Sequence, residues 1–314
     1  MSKIVFFCIP AFGHINPTIE VVRELTGQGH EVWYYAYEPF REKIETAGAK
    51  FIACDPYDKQ TEQMLAEHDA QGKGGLDVAL SIETLVSTTL ALEEVVSRDM
   101  KEFQPDCIVA DSMAVGGRWT AQKLQIPFVS STTTFAFNKY AARVMKQDSS
   151  QLFAMIKAMP RINRSLKKLR EHGYPAKNLT SILGNDSDTY TIVYTSKEFQ
   201  PYSETFSDKF TFVGPSVKVC EKVKEPREKP QVYISLGTVN NQMQDFYQNC
   251  IEAFRDGVLD VVMSVGEKTD IEKLGALPPN FTVKHSVAQM EVLQNTDVFL
   301  SHCGMNSVNE SLYC

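Results

Sequence analysis

DVFLSHCGMNSVNESL, residues 297–312, is the stretch whose reading decides the fold. Asp297–Ser301 carries the short apolar run of a buried strand and His302-Cys303-Gly304 a tight turn. Met305–Leu312 then has helical spacing, with Asn306 and Ser307 in the first turn. A strand delivered into a helix through such a turn leaves bare amides at the helix start. Those amides and the positive end of the helix dipole attract an anion, and Asn306 and Ser307 add side-chain donors for phosphate oxygens. Glu310 follows one turn after Ser307 on the same face. A carboxylate there suits the paired hydroxyls of a sugar better than it suits phosphate, so the expected ligand carries both groups. Strand–turn–helix units with Gly and Ser at the turn also occur throughout α/β proteins, so this unit needs support from the rest of the chain.

Working upstream, Gln231–Leu236 reads as the first strand of the same α/β unit, with Gly237-Thr238 beginning its turn. Ser235 and Thr238 either offer hydroxyls to a diphosphate or simply close the turn. Leu259–Val265 and Phe281–Val287 are the next strands, separated by the loop ALPPN at 276–280. Val287-Ala288-Gln289 precedes a short helix, Met290–Asn295. The charged stretch VKVCEKVKEPREKP, 217–230, has two prolines and no clear period, as an interdomain linker does.

The first half opens with a buried strand at 3–9 and a loop at Gly13-His14-Ile15. Asn16 reads as a helix N-cap and Pro17 as a first helical residue, with Ile19, Val22 and Leu25 at helical spacing until Gly27 and Gly29. His30–Tyr37 returns as a second strand. The first βα turn lacks G-x-G-x-x-G, which argues against a nicotinamide dehydrogenase. His14 thus falls at the carboxyl end of the first strand, where open α/β sheets keep their ligands. Asp106–Ala110 is a further strand, and Asp111 stands at its carboxyl end before a helix around Ala114–Leu124. If the two strands share one parallel sheet, His14 and Asp111 open into the same crevice. A carboxylate on one imidazole nitrogen would then leave the other free to take a proton. The structural alternatives are a packed loop histidine and a helix-capping aspartate.

A polar, Gly-rich segment between 57 and 75 reads as an exposed loop, and Val78–Val96 as one long helix. Phe135, Phe137, Tyr140, Met145, Phe153, Met155 and Met159 form a concentration of aromatic and thioether groups that is either core or an adaptable apolar acceptor pocket. Ile192–Tyr194 and Phe210–Val213 are short strands.

The 314 residues allow two domains of ordinary size, and 43% hydrophobic with 23% charged residues is ordinary for a globular protein. A net charge of −7 argues against a nucleic-acid or anionic-membrane surface. Phosphate would therefore be held by helix ends rather than a basic patch. Seven cysteines without C-x-x-C pairing read as reduced thiols, with no zinc site. The apolar run Ile4–Phe12 lacks a small-residue cleavage site, and no stretch reaches the length of a bilayer span, so a cytoplasmic location is expected.

SHCGMNSVNESL resembles the donor-binding signature of the UDP-dependent glycosyltransferases, especially their bacterial macrolide-type branch. The resemblance continues through IPAFGHINPTIEVVREL near the start, CIVADSMA near residue 110, TFVGPS at 211–216, ISLGT at 234–238 and SVAQMEVL at 286–293. It implies an α/β chain of two facing Rossmann-like domains of GT-B type. These would be an acceptor domain at 1–213, a linker at 214–230 and a partial nucleotide-sugar domain at 231–314. It further implies His14 as general base oriented by Asp111, and donor contacts from Thr238, Val287, Gln289, His302, Gly304, Asn306, Ser307 and Glu310. Val287 would read the base through its backbone, and Ala288 departs from the Pro usual there. No cofactor or metal is implied; a UDP-sugar is the co-substrate. The expected activity is inverting transfer of a sugar, glucose by expectation, to a hydroxyl of a small, largely apolar acceptor such as a macrolide or phenolic. Relatives continue with a Pro-rich strand, an Asp/Gln or Glu/Gln pair for the sugar hydroxyls and a final helix. The second domain is therefore expected to be incomplete. The rival expectations are a non-catalytic nucleotide-sugar-binding remnant and a sugar-nucleotide epimerase.

Overall fold

The computed structural model describes residues 1–59, 63–64, 77–141, 149–176, 178, 188–217, 226–238 and 241–314, without the side chains of 149–155. The Gly-rich stretch at 71–75, residues 218–225 of the expected linker, Met145, and the side chains of Phe153 and Met155 lie outside this set. Two compact units are present, Met1–Ser216 and Val217–Cys314.

In the first unit the chain runs β1 (Lys3–Phe7), α1 (Phe12–Gly27), β2 (Glu31–Ala36), α2 (Arg41–Thr46) and β3 (Lys50–Ala53). It continues as α3 (Val78–Ala91), α4 (Glu93–Phe103), β4 (Cys107–Asp111), α5 (Val115–Leu124) and β5 (Phe128–Thr132). Then come α6 (Ser149–Glu171), β6 (Tyr190–Val193) and β7 (Phe210–Phe212). The seven strands form one sheet in the order β3-β2-β1-β4-β5-β6-β7, with every pairing parallel.

A parallel sheet must be covered on both faces, and β1 shows how its sequence meets that demand. Successive side chains alternate sides. Ile4 and Phe6 enter one buried cluster with Ile15, Ile19 and Ile44 from α1 and α2. Val5 and Phe7 enter another with Val95, Val96, Met100 and Phe103 from α4. The run is apolar throughout because neither face meets water.

Two expected elements differ. The first helix begins at Phe12 with Ala11 as its N-cap, so Asn16 and Pro17 lie inside it and His14 sits in its first turn rather than in a loop. An early proline removes one ladder donor, and the preceding turn still closes through His14 N and Ile15 N on the Ala11 carbonyl. The expected long helix from Val78 is two helices divided at Leu92. Its apolar period continues across the break, yet α3 packs Ala79, Ile82 and Val86 on Trp119 and Ile162, while α4 packs on the sheet. The break lets one continuous pattern serve two different cores.

The second unit runs β8 (Gln231–Ser235), α7 (Gln244–Ala253), β9 (Asp260–Ser264), β10 (Phe281–Lys284), α8 (Gln289–Gln294), β11 (Val298–Ser301) and α9 (Met305–Tyr313). Its four strands are parallel in the order β10-β9-β8-β11. Among the described residues no cysteine is in a disulfide, and no helix is long and apolar enough to cross a membrane.

Candidate functional site

The order in which strands are added reverses at one place in each sheet, and ligands of open α/β sheets gather outside the strand ends there. In the first unit that place is between β1 and β4, where Phe7 pairs with Ala110. The helix after β1 carries His14, and the last residue of β4 is Asp111. Their side chains meet: His14 Nδ1 lies 2.8 Å from Asp111 Oδ2. The Asp111 side chain is fully buried and that of His14 is 16% exposed.

Both carboxylate oxygens of Asp111 are used. Oδ1 accepts from Met113 N at 2.9 Å, so the aspartate closes the turn before α5 while holding the imidazole with its other oxygen. The helix cap itself is Ala114. A carboxylate only accepts, so it holds the imidazole proton on Nδ1 and leaves a lone pair on Nε2. Thr133 Oγ1 lies 3.0 Å from the same Nδ1. This partner comes from the hydroxyl-rich run SSTTT at 130–134, which ends β5 and continues past it and is plain in the sequence. Cys8 follows β1, where burial, and after it the charge of Asp111, push its thiol well above the ordinary range.

A cavity of about 310 Å³ lies in the first unit. Ile9 and Pro10, just before the helix bearing His14, and Met113, two residues after Asp111, line it together with Leu80, Leu85 and Tyr174. None of Phe135, Phe137, Tyr140 or Met159 lines it, so the expected aromatic and thioether pocket is not this cavity. Phe135 instead lies against Phe199, the rings tilted with centroids 5.5 Å apart, and Met159 packs on the Ile162 cluster.

In the second unit the reversal falls between β8 and β11, where Ser235 pairs with Ser301. The turns after these strands bring Gly237 and Thr238 together with His302, Cys303 and Gly304. Gly304 is the N-cap of α9, whose first turn holds Asn306 and Ser307. Thr238 and His302 are exposed, Asn306 is half-buried and Ser307 is buried. The His302 ring lies between two glycines: a Cβ on Gly237 would stand 2.3 Å from its Cε1, and one on Gly304 2.5 Å from its Nε2. Gly237 also has φ +75, which L side chains rarely adopt. Gly237→Ala is therefore expected to displace His302 and to destabilise the second unit by about 1–2 kcal/mol, the cost of a side chain on a left-handed residue. Thermal unfolding checks this, and an unchanged melting temperature would show that the turn relaxes without strain.

One turn along α9, Glu310 meets Gln289 of α8: Gln289 Nε2 donates to Glu310 Oε2 at 2.5 Å and lies 3.5 Å from Ser307 Oγ. Gln289 is held from behind by Tyr233, whose hydroxyl donates to Gln289 Oε1 at 3.1 Å. Tyr233 is buried in mid-strand and stacks on Phe299 at 4.8 Å. Burial pushes its phenol up, so it remains a donor. Nothing in the sequence distinguishes Tyr233 from an ordinary core aromatic. Val287 is half-buried in the loop between β10 and α8. Among the described residues no group of three or more His, Cys, Asp or Glu is placed to hold a metal.

No protein-family model matches the chain. It is 36% identical over 315 residues to the NDP-glycosyltransferase YjiC of Bacillus subtilis, covering 97% of this chain and 75% of that protein. It is 28% identical over 320 residues to the demethyllactenocin mycarosyltransferase of Streptomyces fradiae, covering 99% and 69%. Among solved structures, the glycotransferase of kitacinnamycin superposes with a TM-score of 0.80 at 22% identity, over 99% of this chain and 78% of that one. The calicheamicin glycosyltransferase CalG4 follows at a TM-score of 0.72 and 25% identity, over 99% and 76%.

Proposed function

The chain belongs to the UDP-glycosyltransferases, in their bacterial macrolide-type branch with its two Rossmann-like units, and from that premise we propose that it transfers glucose from UDP-glucose to a small phenolic acceptor with inversion. The observation that carries the mechanism is the 2.8 Å contact between His14 and Asp111, which leaves Nε2 as a base. Nε2 removes the proton of the acceptor hydroxyl as its oxygen attacks the anomeric carbon. The bond from that carbon to the diphosphate breaks, and UDP departs with the electron pair. Negative charge then grows on the diphosphate. The amides at Gly304–Ser307, His302, Asn306 and the Thr238 hydroxyl meet it at the positive end of α9. Gln289 and Glu310 take the ribose hydroxyls, and the backbone at Val287 reads the base.

The acceptor occupies the cavity of the first unit. Its volume, about 310 Å³, lies at the small end of the range for ligand pockets, which favours a phenolic over a whole macrolide. Leu85→Trp is expected to fill the cavity and raise the acceptor KM at least about tenfold while the UDP affinity stays constant, since pocket filling removes acceptor binding alone. Steady-state kinetics and calorimetry check the two halves of that expectation.

The deciding experiment incubates the protein with UDP-glucose and a dihydroxyphenol and analyses the products by mass spectrometry and NMR. A β-glucoside and one equivalent of UDP are expected. UDP-glucose bound but not consumed would replace the proposal with a binding protein. An isomeric UDP-sugar formed without acceptor would replace it with an epimerase.

A further inference from the structure

Six of the eight hydroxyls lining the cavity of the first unit, all but Thr120 and Tyr174, share one property: each donates its proton to a protein oxygen. Tyr35, Tyr37, Ser81, Thr84, Thr88 and Thr89 all line the cavity. Four of them sit on α3, and three of these bond back to its own chain. Ser81 donates to the Asp77 carbonyl at 3.1 Å, Thr84 to Ser81 at 2.8 Å and Thr89 to Leu85 at 2.7 Å. The others donate to buried carboxylates. Tyr35 OH reaches Asp99 Oδ2 at 2.8 Å, and Thr88 Oγ1 reaches Asp58 Oδ2 at 2.8 Å. Tyr37 OH donates to the same Asp58 oxygen.

A hydroxyl has one proton and two lone pairs, so a hydroxyl whose proton is spent offers a ligand acceptor capacity only. Asp58 strengthens the effect. It is 1% exposed, is held through Oδ2 by both hydroxyls, and its Oδ1 has no hydrogen-bond partner among the described residues. A buried carboxylate polarises the hydroxyls that donate to it and makes their oxygens better acceptors. Burial, and then the bond to Asp58, push the Tyr37 phenol far up, so it stays a neutral donor to Asp58.

We propose that this cavity selects its sugar acceptor by donor count, taking neutral aromatic polyols whose extra hydroxyls donate to Tyr37 and its neighbours, and rejecting their methyl ethers. The proposal deepens the assignment of the cavity to the acceptor and rests on it. An O-methyl group fails twice: it has no proton to give, and its ether oxygen faces lone pairs. A hydroxyl left facing an unmatched group costs more than a hydrogen bond gains, so discrimination of about tenfold or more per position follows.

The test compares kcat/KM for a dihydroxyphenol and for its mono-O-methyl ether, which keeps one hydroxyl to react. The wild type is expected to favour the free diol by about tenfold. Tyr37→Phe is expected to bring the ratio to within about threefold, and Thr84→Val, which keeps the shape of the side chain, to lower it independently should Tyr37→Phe misfold. Equal rates in the wild type, or a ratio that survives both substitutions, would overturn the proposal. Leu85→Trp separates the two levels. If it raises KM for diol and ether alike while Tyr37→Phe leaves the ratio intact, only the selection rule fails. If it changes neither KM, the cavity is not the acceptor site, and the rule falls with that assignment.

Discussion

Asp111→Asn is expected to lower turnover by about 10²–10⁴-fold, the span associated with losing a general base, although the substituted side chain has the same shape. The reason lies in the two oxygens of Asp111. Met113 N only donates and approaches Oδ1 at 2.9 Å, so the single carbonyl oxygen of an asparagine must stay there. Its NH2 group then faces His14 Nδ1. An imidazole nitrogen opposite a donor must accept, so the ring proton moves to Nε2, the atom that has to be bare in order to take a proton. Turning the amide over would instead set its NH2 against the Met113 amide, two donors face to face. Thr133 Oγ1, 3.0 Å from Nδ1, either donates or accepts and so cannot restore the original tautomer. UDP affinity and melting temperature should stay close to those of the wild type, because neither donor contacts nor packing volume change. Turnover within about threefold of the wild type, measured with UDP-glucose and a dihydroxyphenol, would remove the dyad from the mechanism.

His14→Ala is expected to cost a similar factor, about 10²–10⁴ in kcat, with UDP binding intact. His14 lies in the first unit and the expected diphosphate contacts in the second, so its loss leaves the donor contacts complete. The informative measurement is the double variant. If Asp111 acts only through His14, adding Asp111→Asn to His14→Ala should reduce the rate little further, as for residues that act as one device. Multiplicative losses would show that Asp111 has a second task, such as holding the turn at Met113. Unchanged turnover in His14→Ala would exclude imidazole as the base altogether.

Particular residues show why some features were legible and others were not. The turns at His302–Gly304 and Gly237 could be read because their chemistry is local: a strand end, a glycine and a helix start within a few residues. His14 and Asp111 could be placed at strand ends one by one. Pro17, however, misled as to where the first helix starts, because a proline at the start of a helix and one in its second turn look alike from a single sequence. The break at Leu92 left no mark, since no Gly or Pro stands there and the apolar period runs straight through. Tyr233 was invisible as a partner of Gln289, because a buried strand tyrosine looks the same whether or not its hydroxyl reaches a glutamine 56 positions away. The cavity drew its lining from β1, α3 and the turn before α5 rather than from the aromatic stretch at 135–159, where residue type alone had pointed.

By itself the sequence determined the fold class, nine of the eleven strands, and the residue types at the two strand-end turns, because hydrophobic period, turn residues and caps act over a few neighbouring positions. Only the tertiary structure decided which of those residues meet. The 2.8 Å contact of His14 with Asp111, the hold of Tyr233 on Gln289 and the bonds of Tyr37 and Thr88 to Asp58 at the cavity each join side chains far apart along the chain. Such contacts depend on strand order and register, which the packing of the whole sheet sets and no short stretch encodes.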